Sequence, residues 1–535
     1  MTIDLSKITP IVSIDFNKLI GGYDSRIAFQ EEQEDPSMMF WSDCKNVEVY
    51  NGLLRKMNGC TDLFTTSLGV PILGGHNYYV SSVEYLVFNG GDGNFYLYDG
   101  FGGYTAKDLT PIGKNITKLS TTAKCQYTQF FNYIIVCNGV DEMFAYDITT
   151  DLIVETNFTA QAATKTSPIG YCSASFMDRL WVADGSTLYY SDIATPSEWR
   201  NDPTGTPPKL GGYIQNAGWG DSDKIESIQA TTGYLLLRTK RKTYIVTMDA
   251  MENPGVQVFD DKGICSRFGS VSHDKNNYFF CPVNTGVYSF GQATDIGTFR
   301  TLDPVSRRIT STIAAELDLT NLNNLYIVSY PNRNQFWMYI PTIDGKLQTC
   351  YVFDFNYHSP NSTPVDFVPI YRRVGNPITC AFTYNNQIYT GTSTGQIQKE
   401  DSGVDFSGNV LDWFVYLPYI SFGTRSKYKR CSDVKLWVST TKVNKFKIAI
   451  SYNQNSWKRK IKAVNIPIPD VYFILDSTLV DSTSLLELAD EKSKRIGMGK
   501  EFTSVQIGFT GTSTNSDDIA LRALSFIGVA EINRV

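Results

Sequence analysis

Three histidines, ten cysteines and 54 carboxylates are the groups of this 535-residue chain best suited to chemistry, and their spacing sets what chemistry is open. His76, His273 and His358 are far apart; the nearest two are separated by 85 positions, so no local metal or proton-relay motif exists. The cysteines, at 44, 60, 125, 137, 172, 265, 281, 350, 380 and 431, form no C-x-x-C pair, and none lies beside a histidine. Several sit in apolar runs, such as Cys137 in YIIVCNG and Cys281 in YFFCPV, where a thiol acts as a small hydrophobe. Reduced, buried cysteines in a protein assembled in a cytoplasm are the expectation. There is no G-x-S-x-G elbow, no P-loop lysine motif and no H-E-x-x-H. GGYDSR and NGGDGNFYLYDG are glycine-rich, but they lack the strand–turn–helix setting of a dinucleotide site. The sequence therefore nominates no catalytic, cofactor-binding or metal-binding residue and no cofactor, and the chain is expected not to be an enzyme.

Two weaker patterns remain. Glycosidases need paired carboxylates about 5 to 10 Å apart, and abundant Asp and Glu leave such a pair open. SYNQNSW (451–457) approaches a sialidase-type turn, but it has Asn453 where that turn has Asp, is one residue short, and occurs once. It reads as a strand turn with a packed Trp. Basic residues cluster at TRSKYKR (424–430), at WKRKIK (457–462) and at Lys240-Arg241-Lys242. Their first reading is solvated strand edges, where charge discourages edge pairing. Docking to another protein, or contact with DNA, is the functional alternative.

The elements that would position any site are strands. Aromatic residues make up 13% of the chain, with 32 Tyr and 31 Phe, and 41 Gly supply tight turns. From 37 to about 400 one unit recurs: an apolar-aromatic strand, a Gly/Asn/Asp turn, and a second strand. It appears in EYLVFNGGDGNFYLYD, NYIIVCNGVDEMFAYD, DRLWVADGSTLYYSD, GYLLLRTKRKTYIV, NNYFFCPVNTGVYSF, NQFWMYIPTIDGKLQTCYVFD and NNQIYTGTSTGQIQ. The centres (Tyr85, Tyr133, Leu180, Leu235, Phe279, Phe336 and Gln387) are spaced roughly 50 residues apart, the period of a propeller blade. The expected fold is all-β: a β-propeller over 37–408 with about seven blades, six to eight being open, and a C-terminal β-sandwich over 409–535. A series of separate sandwiches is the rival. NVEVYNGLLRKMNG (46–59) is a candidate to complete the last blade. Residues 1–36 read as an extended arm, and 477–496 as a helix or a loop insertion around 477–500.

Charge narrows the partners. The chain carries −6 overall; from Asp401 onward 18 basic and 14 acidic residues give +4, which leaves −10 for the rest. That balance argues against a dedicated nucleic-acid binder and is compatible with a basic terminal module docking on an acidic partner. The N-terminus, MTIDLSKITP, lacks a secretory signal, and no apolar run reaches bilayer length, so a soluble protein without membrane insertion is expected.

Several stretches resemble the podophage tail hub or nozzle proteins, which include the tail tubular B and packaged-DNA stabilisation proteins. NVEVYNGLLRKMNGCTDLF (46–64) is similar to that family's opening Asn, Gly-Leu-hydrophobic, Arg and Gly pattern. MDRLWVADGSTLYYSDIATPSEWRND (177–202) resembles a recurring stretch of the family through Arg179, Leu180, Trp181, Tyr190, Ser191, Pro196 and Trp199. DKIESIQATTGYLLLRTKRKTYIVT (223–247) and the following KGICSRFGSVSHDKNNYFFCPVNTGVYSF (262–290) resemble the family's loop, strand pair, Gly-hydrophobic-x-Ser and further hairpin. The likeness covers roughly 37–300 and, more loosely, the terminal domain; the arm and the 477–500 insertion have no counterpart in it.

The resemblance implies a virion structural protein assembled in the bacterial host cytoplasm. Its subunits would form a homo-oligomeric ring, a hexamer, below the portal-adaptor (head-tail connector) proteins. The ring's bore would pass genomic DNA during ejection and help to retain it after packaging, and its outside would anchor tail fibres or tailspikes. A bore of neutral to acidic surface is expected, since a basic wall would grip the phosphates. The alternative is a virion propeller that binds a host receptor or glycan, or degrades carbohydrate.

Overall fold

A computed structural model describes residues 9–16, 22–26, 29–30, 40–107, 119–155, 169–217, 223–249, 253–273, 276–292, 299–301, 304–357, 368–422, 427–439, 444–453, 460–466, 491–498 and 500–532. The fold is all-β. The chain divides into two compact units: one of 60–367 with 376–402, the other of 1–59, 368–375 and 403–535.

The first unit is a β-propeller. Its sheets are antiparallel and most are built from consecutive strands, as the recurring hairpins require; Thr187–Tyr190 instead pairs with Gly212–Ile214, past the small hairpin Asn201–Asp202/Lys209–Leu210. Gln126–Phe130, Tyr133–Cys137, Phe144–Asp147 and Leu152–Glu155 make one such sheet, and Ser227–Thr231, Tyr234–Arg238, Thr243–Met248 and Pro254–Asp260 another. The second strands read as continuous apolar runs because both of their faces are covered. Ile134 and Val136 pack with Tyr78, Val87 and Phe95 of the preceding sheet. Ile135 and Cys137, on the opposite face, pack with Leu180, Val182 and Trp199 of the next. The alternation repeats one sheet further on: Leu235 and Leu237 join Trp181 and Leu188, while Leu236 joins Phe279 and Cys281. A strand buried on both faces shows no polar alternation, and its length alone marks it as a strand.

First strands face one another around the axis. Gln129 Nε2 donates to Tyr79 O at 2.6 Å, and Thr128 Oγ1 donates to Ser173 O at 3.0 Å. Gln229 Nε2 donates to Ser272 Oγ at 3.0 Å, and Thr383 Oγ1 to Ser329 O at 2.6 Å. Thr379 Oγ1 donates to Ile72 O, which closes the circle. The lock is Cys60–Asp62, which pairs with Ile397–Glu400, so the two chain ends of this unit share one sheet. The sequence had offered 46–59 for this role. Instead Val47–Tyr50 and Leu53–Lys56 form a hairpin that pairs with Ala520–Ile532, and 37–59 groups with the second unit rather than with the propeller. Thr310–Glu316, a helix the sequence reading did not foresee, buries Ile313.

The second unit holds two sheets. In one, the 13-residue strand Ala520–Ile532 pairs with Thr9–Phe16, Tyr428–Arg430, Asp433–Ser439 and Leu53–Lys56. In the other, Val505–Thr512 pairs with Asp412–Tyr416, Tyr419–Ile420 and Asn444–Tyr452. The expected N-terminal arm thus contains a paired strand. Of the stretch expected as helix or insertion, 477–490 lies outside the described residues; Glu491–Gly497 is a strand along Asp433–Ser439.

Candidate functional site

The chain enters each propeller sheet at the inner strand, so the residues just ahead of those strands converge at one end of the axis. Arg267 precedes Ser270–His273 and reaches across to two other sheets. Its Nη1 donates to Tyr171 O at 2.7 Å and its Nη2 donates to Lys124 O. The guanidinium lies over the rings of Tyr171 (4.5 Å) and Phe268 (5.0 Å), and Phe268 stacks on the buried Tyr326 at 4.5 Å. Lys124 Nζ sits 4.7 Å from the Tyr326 centroid. Together these side chains plug the propeller axis at this end. Burial pushes the Tyr127 and Tyr326 hydroxyls well above the ordinary tyrosine range and drives Lys124 down to about 8.

Beside the plug opens a well of about 650 Å³. Tyr171 forms part of its wall, with Lys224 Nζ 3.2 Å from the ring centroid. Lys240 and Arg241 lie in the turn between Tyr234–Arg238 and Thr243–Met248. Thr239 Oγ1 accepts from Lys242 N at 3.1 Å and so shapes that turn. The turn packs on Gly263, where a Cβ would stand 2.3 Å from the Lys240 carbonyl carbon, so only glycine fits. Among the described residues Glu226 is the one carboxylate lining the well; it is buried and 3.9 Å from Lys240. Asp223 lies 3.7 Å from Arg241. Val283 and Leu319 are 69% and 67% exposed at the well. Plug and well together hold five cations, Lys124, Lys224, Lys240, Arg241 and Arg267, and these two carboxylates, inside a region that the sequence makes acidic. Burial pushes the Cys265 thiol up to about 12, which keeps it un-ionised at neutral pH. The well offers neither a facing acid pair nor a metal-binding donor set; its chemistry is attraction of negative charge.

The residues flagged by the sequence are scattered. His76 stacks parallel to Tyr127 with centroids 6.3 Å apart, and burial lowers it to about 4. His273 bonds to Ser329 Oγ at 3.3 Å and Asn334 Oδ1 at 3.0 Å. His358 lies outside the described residues. All ten cysteines are buried and none forms a disulfide. Among the described residues no group of three His, Cys, Asp or Glu is placed to hold a metal ion.

The three basic clusters part company. Among the described residues Lys460–Ile466, the described end of the second, pairs on one side only, with Asn444–Tyr452, as a strand edge does; 454–459 lie outside the described residues. Tyr428–Arg430 is flanked on both sides, by Ala520–Ile532 and Glu501–Phe502, so the edge reading fails there; 423–426 lie outside the described residues. Lys240–Lys242 is a turn at the well, not an edge. In SYNQNSW, Asn453 Oδ1 accepts from Thr503 N at 2.7 Å and pins a turn at φ 57°, whereas 454–457 lie outside the described residues. Sequence reasoning missed Lys124, Tyr171, Lys224 and Arg267. Counted back from the first residue of each first strand, Lys224 and Arg267 fall in one column, three places ahead, and Lys124 falls two places ahead.

No family model matches the chain, and no curated protein is significantly similar to it. Its similarities are to solved propellers. One is the β-propeller domain of Cps50 (Swd1) of Myceliophthora thermophila, at 11% identity over 59% of this chain and 93% of that one, TM-score 0.36. Another is the RRP9 WD40 repeats, at 8% over 65% and 99%, TM-score 0.40. A third is virginiamycin B lyase of Staphylococcus aureus, at 10% over 64% and 98%, TM-score 0.40. Likeness at this level carries no functional inference to this chain.

Proposed function

We propose that this chain is a structural subunit of a ring in a bacteriophage tail, a hub or nozzle below the portal-adaptor proteins, and not an enzyme. In this reading the propeller has seven blades, the last closed by Cys60–Asp62, and the second unit is a β-sandwich. The subunits enclose the DNA exit channel between them, retain packaged DNA and anchor fibres or tailspikes.

The observation that carries the proposal is where the residues of the family resemblance sit. Arg179 is buried, and its Nη1 donates to Ser191 O (3.0 Å) and Leu210 O (2.8 Å). Leu180 N donates to Ser191 Oγ at 2.9 Å, and Trp181 Nε1 to Phe176 O at 3.1 Å. In the second unit Asn46, at φ 57°, donates to Val374 O and Asp412 O and accepts from Val374 N at 2.8 Å. Gly59 has no room for a Cβ, which would stand 1.6 Å from Asp405 O. These residues tie backbones together, the kind of pattern a family of scaffolds would share. The plugged axis adds a constraint: DNA has to run between copies, so the proposal requires a ring.

The test is the mass of the purified chain in solution, alone and with a portal-adaptor complex, by light scattering. A closed oligomer, sixfold by expectation, is the predicted result. A monomer under both conditions ends the proposal.

A further inference from the structure

We propose that the cationic well at the plugged end of the propeller is a binding site for a small molecule bearing a phosphate or carboxylate group, a role separate from ring assembly. The first argument is the pair of cations in the plug beside the well. Lys124 and Arg267 lie in adjacent positions across the axis, and among the described residues neither has a carboxylate within ion-pair distance. Arg267 uses two of its five N–H donors on the carbonyls of Tyr171 and Lys124, which fixes the guanidinium and leaves the rest. The Lys124 ammonium has a ring face as its described neighbour and no oxygen. Two like charges held together in a partly desolvated place are costly, and an anion in the neighbouring well lowers that cost through space.

The second argument is the approach. Lys224, Lys240 and Arg241 extend the positive surface outward, and the last two are 69% and 75% exposed, free to meet an anion. Structural ion-pairing does not account for them: the contacts to Glu226 and Asp223 are long, 3.9 and 3.7 Å. The third argument is size. At about 650 Å³ the well falls inside the range of roughly 300–1,000 Å³ typical of small-molecule sites, more than a bare phosphate fills. Exposed Val283 and Leu319 give the remainder of a ligand an apolar surface.

The experiment is calorimetric titration of the full chain with inorganic phosphate and, separately, with glucuronate, each against sodium chloride of equal ionic strength. Saturable binding of phosphate alone assigns the site to free phosphate or phosphate esters. Tighter binding of glucuronate assigns it to acidic sugars. The double variant Lys224→Gln/Lys240→Gln alters exposed side chains only and is expected to weaken binding about tenfold or more. Lys447→Gln, on the second unit, is expected to leave it unchanged. Heats no different from chloride overturn the proposal. So does an affinity that the double variant leaves intact.

Discussion

In the propeller most strands find their partner one turn away, the closing strand Cys60–Asp62 apart; in the second unit the longest strand takes partners from opposite ends of the chain. Tyr133–Cys137 is bracketed by neighbours that begin and end within a dozen residues of it, whereas Thr9–Phe16 lies along Ala520–Ile532 from Thr9↔Glu531 to Phe16↔Leu524. Both are antiparallel pairings with the same hydrogen-bond geometry. They differ in the loop entropy that must be lost before the first hydrogen bond forms. Local pairing makes each sheet of the propeller a nearly autonomous choice, and long-range pairing makes the second unit depend on both termini at once.

The sharpest way to break this contrast is to remove one partner of the long-range set. Deleting 520–535 takes away the strand that Thr9–Phe16, Tyr428–Arg430, Asp433–Ser439 and Leu53–Lys56 all pair with. Amide exchange is expected to show protection lost across that whole sheet, while Tyr133–Cys137 and Tyr234–Arg238 stay protected. Uniform loss throughout the chain would mean that the propeller's local pairings do not suffice for it. Smaller in effect is Trp181→Ala. The indole is fully buried between two sheets and donates to Phe176 O, so its removal is expected to cost about 3–5 kcal/mol, read by denaturant unfolding. Trp413→Ala, its counterpart in the second unit, belongs in the same range, because that indole is equally buried.

The same contrast explains what could be read from the sequence. Hairpin strands such as YLLLR and YFFC are apolar runs ended by turn residues, and a partner one turn away leaves its signature within the same window. The roughly 50-residue period and the propeller class followed from that. The lock did not: Leu53–Lys56 and Cys60–Asp62 are both short strands near the right place, and the choice between them is made by pairing with segments more than 300 residues off. Glu491–Gly497 was misread for the same reason, since its strand character comes from Asp433–Ser439 and not from its own composition. The candidate well was less legible still. It has no motif, and its cations come from separate sheets. Lys240 and Arg241 were noticed as a charge run, but a run does not announce that it is a turn rather than an edge. Lys124 and Arg267 stood as isolated charges whose meaning lies in their convergence.

A test within the propeller uses pH. His76 in the folded chain lies near 4, below the ordinary 6.5, because burial disfavours the imidazolium. Above pH 6.5 both folded and unfolded forms are neutral there and the group has no effect. As pH falls from 6.5 to 4 the unfolded chain takes up the proton first, so stability drops, by up to about 3 kcal/mol at the low end, and then levels off. His76→Gln cannot titrate and is expected to remove this part of the acid slope in urea titrations at pH 7, 5.5 and 4.5. An unchanged slope would place the acid sensitivity elsewhere.

The smallest effect tests whether turn chemistry sets the local pairings. The tight turns of the propeller need positive φ. One sheet meets this with Asn385 and Asn386 at 49° and 54°, residues that tolerate it; another places Phe131 there, at 52° and 48% exposed. A bulky side chain in the left-handed region costs roughly 1–2 kcal/mol. Against that stands the edge-on contact of Phe131 with Phe130 at 4.9 Å, of the order of 1 kcal/mol for an aromatic pair. The two terms nearly cancel, so Phe131→Asn is expected to leave stability unchanged or raise it by less than about 1 kcal/mol. Asn386→Phe gains no such ring contact by design and is expected to lower stability by about 1 kcal/mol. If Phe131→Asn were instead to destabilise by more than 1 kcal/mol, packing at the tip and not backbone preference would govern this hairpin, and the argument that each propeller sheet is chosen locally would lose its simplest support.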